Sequence, residues 1–213
     1  MKGKFITFEG IDGSGKSTQL RMLAAHLRSL DLDVLVTCEP GGTGLGRSLR
    51  GAFLETTETV APMAELLSFG ADRAQHVEFL IKPALVAGRV VISDRYADAT
   101  AAYQGAGRGF DEQKIAQVID LATDGLRPDL TLFFDIPVDE AINRMVDRDE
   151  THSKKNRMDE ETSEFYHRVR EAYLRFAERE PGRFRIIDAL GTPDEIQARV
   201  IETVTPILEE NVQ

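Results

Sequence analysis

The chain predicts an α/β fold in which a five-stranded parallel sheet is flanked by helices on both faces. Three features point to it: five short apolar runs, helical periodicity between them, and a glycine-rich break directly after the first run. Residues 4–8 form the first strand, because β-branched and aromatic residues cluster there. From Lys16 the pattern changes to Leu20, Leu23, Ala24 and Leu27, the spacing of a helix, which residues 29–33 end before a second strand at 34–37. Helices over 45–54 and 61–87 follow, the latter with Pro62 near its start and Pro83 interrupting its end. A third strand spans 90–93. Ile115, Val118 and Ile119 place a helix over 111–122, and residues 130–135 give a fourth strand whose unbroken apolar character suits burial on both faces. The chain closes with a helix at 138–148, a long charged helix at 160–180, a fifth strand at 184–188 and a last helix at 193–210. In such a sheet ligands bind outside the carboxyl ends of the strands, so the loops there are expected to carry the chemistry.

The 213 residues are ample for a buried core, and no repeat, low-complexity tract or Pro/Gly/Ser-rich linker marks a boundary, so residues 1–213 read as one domain. Acidic residues number 36 and basic ones 26, a formal net charge of −10. That balance argues against a broad surface for a nucleic-acid polymer or an anionic membrane, though not against a local basic pocket. The apolar run Phe5, Ile6, Thr7 and Phe8 is too short for a signal-peptide core, and no later run reaches spanning length, so a soluble protein is expected. With one cysteine, Cys38, no intrachain disulfide can form, and a reducing, cytoplasmic setting is the default. His26, His76, His152 and His167 lack metal-ligand spacing and read as ordinary helix or loop residues. Residues 147–159, DRDETHSKKNRMD, hold almost nothing apolar and on their own read as a solvated turn.

Gly10-Ile11-Asp12-Gly13-Ser14-Gly15-Lys16-Ser17 satisfies the P-loop pattern, and it follows a predicted strand and opens a predicted helix. The glycines let backbone N–H groups curl around a phosphate, Lys16 brings charge to the β- and γ-phosphates, and the Ser17 hydroxyl can ligate Mg²⁺. A P-loop leaves a switch GTPase, a motor ATPase and a small-molecule kinase open. No Asn-Lys-x-Asp tetrapeptide follows a strand, which weighs against a GTPase. A kinase must neutralise two sets of phosphates and so needs arginines at the sheet's carboxyl edge. After the third strand stands Asp94-Arg95-Tyr96, where Arg95 can fork onto an acceptor phosphate and Asp94 can orient Arg95 or a Mg²⁺-bound water. After the second stands Glu39-Pro40-Gly41-Gly42-Thr43-Gly44, a loop suited to close backbone approach.

With FEGIDGSGKST from Phe8, EPGGTG from Glu39, LLSFGADRAQHVEFLIKPAL from Leu66, ISDRY from Ile92 and AYQGAGRG from Ala102, the chain resembles the bacterial thymidylate kinases from its first strand to its last. The resemblance implies a P-loop NTPase fold of the nucleoside monophosphate kinase type with a mobile lid. It implies transfer of the γ-phosphate of ATP to dTMP with Mg²⁺, usually by a homodimer. Carried over by motif, Gly10, Ile11, Asp12, Gly13, Ser14, Gly15, Lys16, Ser17 and Thr18 would hold ATP, and Ser17 and Asp94 would serve the metal. Phe69 would stack on thymine and Arg73, a turn further on, would hydrogen-bond its exocyclic carbonyl; core packing and a surface ion pair are the plain alternatives. Thr100 and Gln104 would read the base edge, Tyr103 would lie against the sugar, and residues 105–109, with Arg108, would form a closing loop. Arg50 and Arg95 would face the acceptor, Asp12 would partner Mg²⁺ or the acceptor site, with a loop-capping carboxylate as the plain alternative, and Glu9 would be structural or reach the acceptor through water.

The family places a lid at residues 147–159, where Arg148, Lys154, Lys155 and Arg157 would close over ATP. Its members carry an extra arginine either in the P-loop or in the lid. This P-loop has Gly13-Ser14 and no arginine, so the chain resembles the lid-arginine type, with Arg144, Arg148 and Arg157 as candidates and Arg157 the best match. Many bacterial members have an arginine where this chain has Cys38, and this lid mixes in Asp149, Glu150 and His152. A kinase for another nucleoside monophosphate would share the P-loop, lid and Asp-Arg pair. A non-catalytic ATP-binding switch would have no use for the acceptor-side arginines.

Overall fold

A computed structural model describes residues 3–152 and 161–209, with side chains described outside 147–152. Its sheet has five strands, β1 (Lys4–Glu9), β2 (Val34–Cys38), β3 (Val90–Asp94), β4 (Leu130–Asp135) and β5 (Phe184–Asp188), in the order β2-β3-β1-β4-β5. All pairs are parallel, with Thr7 beside both Ser93 and Thr131. The central strand β1 is buried on both faces from Phe5 to Glu9, so its end is fixed by the whole core. The Thr7 and Thr131 hydroxyls pair at 2.9 Å, which satisfies two polar groups between apolar layers.

The helices are α1 (Lys16–Ser29), α2 (Gly44–Leu54), α3 (Pro62–His76), α4 (Lys82–Val86), α5 (Ala97–Thr100), α6 (Glu112–Thr123), α7 (Val138–His152), α8 (Ser163–Arg179) and α9 (Pro193–Glu209). Leu20, Leu23, Ala24 and Leu27 of α1 are buried, as their spacing predicts. The predicted 61–87 helix exists, but a π-helical stretch, Val77–Ile81, joins α3 to α4 just before Pro83. A proline inside a helix removes one donor and crowds the carbonyl four residues back, and a wider turn absorbs both.

One expectation is corrected. Most of residues 105–109 is not a loop: α5 runs on into a second π-helical stretch, Ala101–Gly107. Glycine's poor helix propensity hides it in the sequence, but Gly107 lies against the Phe165 ring of α8, and this packing outweighs propensity. Among the described residues no helix is long and apolar enough to cross a membrane.

Candidate active site

The P-loop leaves β1 at its carboxyl end and enters α1 through Gly15, whose φ of +85° suits glycine. No side chain caps that helix start, where backbone N–H groups can receive an anion. Lys16 folds back over the loop, its Nζ donating to the carbonyls of Gly10 at 2.9 Å and Ile11 at 2.8 Å. Burial, with Arg95 nearby, lowers the Lys16 pKa to about 8. Ser17 Oγ donates to Asp94 Oδ2 at 2.7 Å. An exposed hydroxyl and a carboxylate in contact at the mouth of a phosphate loop are a donor set that fits a hydrated hard cation completed by phosphate oxygens. Among the described residues no cluster of three His, Cys, Asp or Glu offers an all-protein metal cage. At Gly13 a Cβ would run into the backbone of Ala141 in α7, so this loop position excludes a side chain.

Arg95 reaches the same mouth from β3. Its Nη2 donates to Asp12 Oδ1 and to the Tyr103 hydroxyl, each at 2.9 Å, and its guanidinium lies 4.6 Å from the Tyr103 ring centroid. Arg95 has φ +70°, unfavourable for a long side chain, and the surroundings hold it there. The Arg95 N–H donates to Phe8 O at 3.0 Å, and the Tyr96 N–H donates to Glu9 Oε1 at 2.8 Å. Glu9 is fully buried and also accepts from the Tyr173 hydroxyl of α8 at 2.7 Å. Burial, reinforced by Asp98, pushes its pKa up to about 8. Glu9 thus has a structural place, beneath the turn that aims Arg95.

Arg73, 2% exposed, donates to Glu39 Oε2 at 2.8 Å, Thr100 Oγ1 at 2.9 Å and Tyr96 O at 2.9 Å. The other Glu39 oxygen lies 2.8 Å from Nδ1 of His76, whose Nε2 is 2.7 Å from Thr37 Oγ1. Arg73 is therefore no surface ion pair, and His76, wholly buried, is no ordinary helix residue. Asp72 Oδ1 accepts from the Gly41 N–H at 3.1 Å and ties α3 to the 39–44 loop. Phe69, half-buried, packs edge-on to Phe53 with centroids 4.8 Å apart. Gln104 Nε2 donates to Glu65 Oε1 at 2.8 Å.

A cavity of about 280 Å³ joins these two groups. Asp12, Lys16, Ser17, Asp94 and Arg95 line one end, Phe69, Arg73, Thr100 and Gln104 the other, with Tyr103 between them. Arg50 and Cys38 also line it; Arg50 Nη1 donates to Pro40 O at 2.9 Å. Of the lid candidates, Arg144 bonds Glu140 and the Ala189 carbonyl, whereas the Arg148 side chain, Lys154, Lys155 and Arg157 lie outside the described residues. Glu39 heads the EPGGTG segment and Asp72 and His76 lie within LLSFGADRAQHVEFLIKPAL, yet nothing local in either segment shows the bonds they make; Glu65 lies outside both.

A family model described as thymidylate kinase matches residues 8–200. The chain belongs to the thymidylate kinase family. It is 47% identical over 208 residues to a thymidylate kinase of Nitratidesulfovibrio vulgaris strain Miyazaki F, covering 96% of this chain and 97% of that protein. It is 49% identical to one of Cereibacter sphaeroides, at 98% and 97% coverage. The crystal structure of thymidylate kinase from Ehrlichia chaffeensis superposes with a TM-score of 0.77 at 35% identity, covering 95% of this chain and 98% of that one. As a thymidylate kinase the chain is a transferase of the nucleoside monophosphate kinase type, with residues 10–17 as its nucleotide-binding P-loop.

Proposed function

We propose that this chain transfers the γ-phosphoryl group of ATP to the phosphate of dTMP, giving ADP and dTDP. The carrying observation is one cavity lined both by Lys16 and Arg95 beside the P-loop and by the buried Arg73, Thr100 and Gln104, groups able to read a base edge. Asp12 lies at the join, bonded to Arg95, where donor and acceptor phosphates meet.

The acceptor, a phosphate monoester with a second pKa of about 6, is mostly a dianion at neutral pH and needs no general base. Catalysis is then alignment and electrostatics. The P-loop amides and Lys16 hold the donor's β- and γ-phosphates, and Lys16 exchanges its bonds to Gly10 and Ile11 for them. Arg95, fixed by Asp12 and Tyr103, orients the acceptor phosphate, with Arg50 adding charge. Phe69 stacks on the base, and Tyr103 crowds the sugar's C2′ side. Ser17 and Asp94 would hold Mg²⁺, which would supply charge neutralisation on the donor phosphates.

Arg157, or Arg148, supplies the remaining positive charge from a lid at 147–159 on a single domain; the exclusion of a side chain at Gly13 supports that source. The working form is a homodimer in the cytoplasm. Incubating pure protein with Mg-ATP and dTMP, dCMP, AMP or GMP in turn, and following ADP, tests the reading. Turnover is expected to be fastest with dTMP, and equal rates with AMP overturn it. Arg157→Ala and Arg148→Ala, assayed separately, identify the lid residue by a kcat loss of about 10³-fold; a loss at neither overturns the lid assignment.

A further inference from the structure

The base end of the cavity holds a glutamine whose amide has two unlike ends. Thymine presents an acceptor at O4 and a donor at N3–H, whereas cytosine presents a donor at its 4-amino group and an acceptor at N3. A free glutamine serves either base, because rotation about its last bond exchanges oxygen for nitrogen. In this structure the amide is not free. Gln104 Nε2 donates at 2.8 Å to Oε1 of Glu65, which is 1% exposed at the start of α3. A carboxylate only accepts, so the nitrogen end must face Glu65 and the carbonyl oxygen occupies the other branch of the amide. Gln104 lines the cavity beside Arg73 and Thr100. Arg108 faces Glu65 in turn, with Nε 3.3 Å from Oε1 and Nη2 3.4 Å from Oε2, so the buried carboxylate has a cation beside it.

We propose that Glu65 is a positioning residue for base selection: by holding the Gln104 amide nitrogen it commits the carbonyl oxygen to the N3–H of a 4-oxo pyrimidine and turns the site against 4-amino pyrimidines. Arg73, donor only and fixed by Glu39, sets the second position of the same code at O4. Cytosine then meets an acceptor facing its N3 acceptor and a cationic donor facing its amino group, and each mismatch leaves a buried polar group unpaired. The proposal rests on the dTMP reading above.

Steady-state kinetics with dTMP and dCMP test it in wild type, Glu65→Gln, Gln104→Glu and the double exchange Glu65→Gln/Gln104→Glu. In Glu65→Gln the KM for dTMP is expected to rise about tenfold with kcat changed less than about threefold. The ratio of kcat/KM for dTMP over dCMP falls about tenfold, while the KM for ATP holds. Gln104→Glu alone sets two carboxylates against each other and is poor with both substrates. The double exchange puts the amide at 65 and an acceptor-only group at 104, and the ratio returns to within about threefold of wild type. Because it keeps one carboxylate and one amide in the same space, it carries the test whatever the stability of Glu65→Gln. A large wild-type ratio that Glu65→Gln leaves intact, or that the double exchange fails to restore, overturns the role of Glu65 alone. A wild-type ratio near one overturns the dTMP reading and this proposal together.

Discussion

The two ends of the cavity are built in opposite ways. At the phosphate end, Ser17 is exposed, the side chains of Asp12 and Arg95 keep 30% and 17% of their exposure, and Lys16 is bonded to carbonyls of its own loop. At the base end, Arg73, Glu39 and His76 are at most 5% exposed, and each bonds at least two groups across different elements. Lys16 at the phosphate end is satisfied by its own loop, and in the proposed reaction it exchanges those bonds for substrate; the bonds of the base end are already in place across elements. Loss of a phosphate-end residue should therefore cost rate with little stability, and loss of a base-end residue should cost both.

The largest effect is expected at Lys16→Met. Removing the buried cation takes away the P-loop charge proposed to neutralise the donor phosphates, and kcat should fall by at least about 10³-fold. Stability should hardly move, because the lost bonds to Gly10 and Ile11 are offset by relief of a buried charge, so the melting temperature stays within about 4 °C of wild type. A melting temperature that falls in step with activity breaks the comparison.

Arg73→Met should show the opposite balance. It leaves Glu39 buried beside His76 without its cation, the kind of broken pair that costs about 3–5 kcal/mol. Urea unfolding should register that loss, together with a KM for dTMP raised by about 100-fold. If Arg73→Met and Lys16→Met unfold at the same urea concentration, the base end is not the prebuilt one.

A subtler test uses pH. The lowered Lys16 pKa, about 8, belongs to the nucleotide-free site, and bound triphosphate favours the charged amine. Below pH 8 Lys16 already holds its proton and ATP binding takes none up. Above it the free site loses that proton, so binding takes one up and affinity falls toward tenfold per pH unit. Calorimetry of ATP binding from pH 7 to 9.5, in two buffers of different ionisation enthalpy, reads both quantities. Glu9 titrates near the same pH, so Glu9→Gln is the control, and the slope should survive it. A flat profile to pH 9.5 shows Lys16 to be less buried in function than in geometry.

Legibility in the sequence follows the range of the interactions. The strands and the P-loop were readable because apolar runs and glycine spacing act over a few residues; Leu130–Asp135 and Phe184–Asp188 match at both ends. The Arg73–Glu39–His76–Thr37 chain was not, since its bonds join residues 34 to 39 positions apart, and no local pattern marks a buried ion pair. Glu65 escaped for the same reason, with Gln104 lying 39 residues away. The Ala101–Gly107 π-helical stretch was hidden by glycines that only packing on α8 makes tolerable. Family resemblance supplied most of the site residues. The structure added the partners that hold them.

The smallest expected effect is at Arg50, and it tests how local the charge at the acceptor end is. Arg50 is exposed and bonds the Pro40 carbonyl through one guanidinium nitrogen, so Arg50→Ala should leave stability within about 1 kcal/mol of wild type. It lines the cavity together with Cys38, and in the proposed reaction it is an outlying cation for the acceptor phosphate. Arg95 remains in place when Arg50 is gone, so the KM for dTMP should rise only about three- to tenfold. Salt separates the two arginines. An exposed charge is screened within about 4–5 Å at 0.5 M ionic strength, so the penalty of Arg50→Ala should shrink toward nothing there. Arg95, pinned between Asp12 and Tyr103 and half-buried, should lose as much activity on Arg95→Ala in high salt as in low. Equal salt sensitivity for both variants would place Arg95 among the steering charges rather than among the groups that align the reaction.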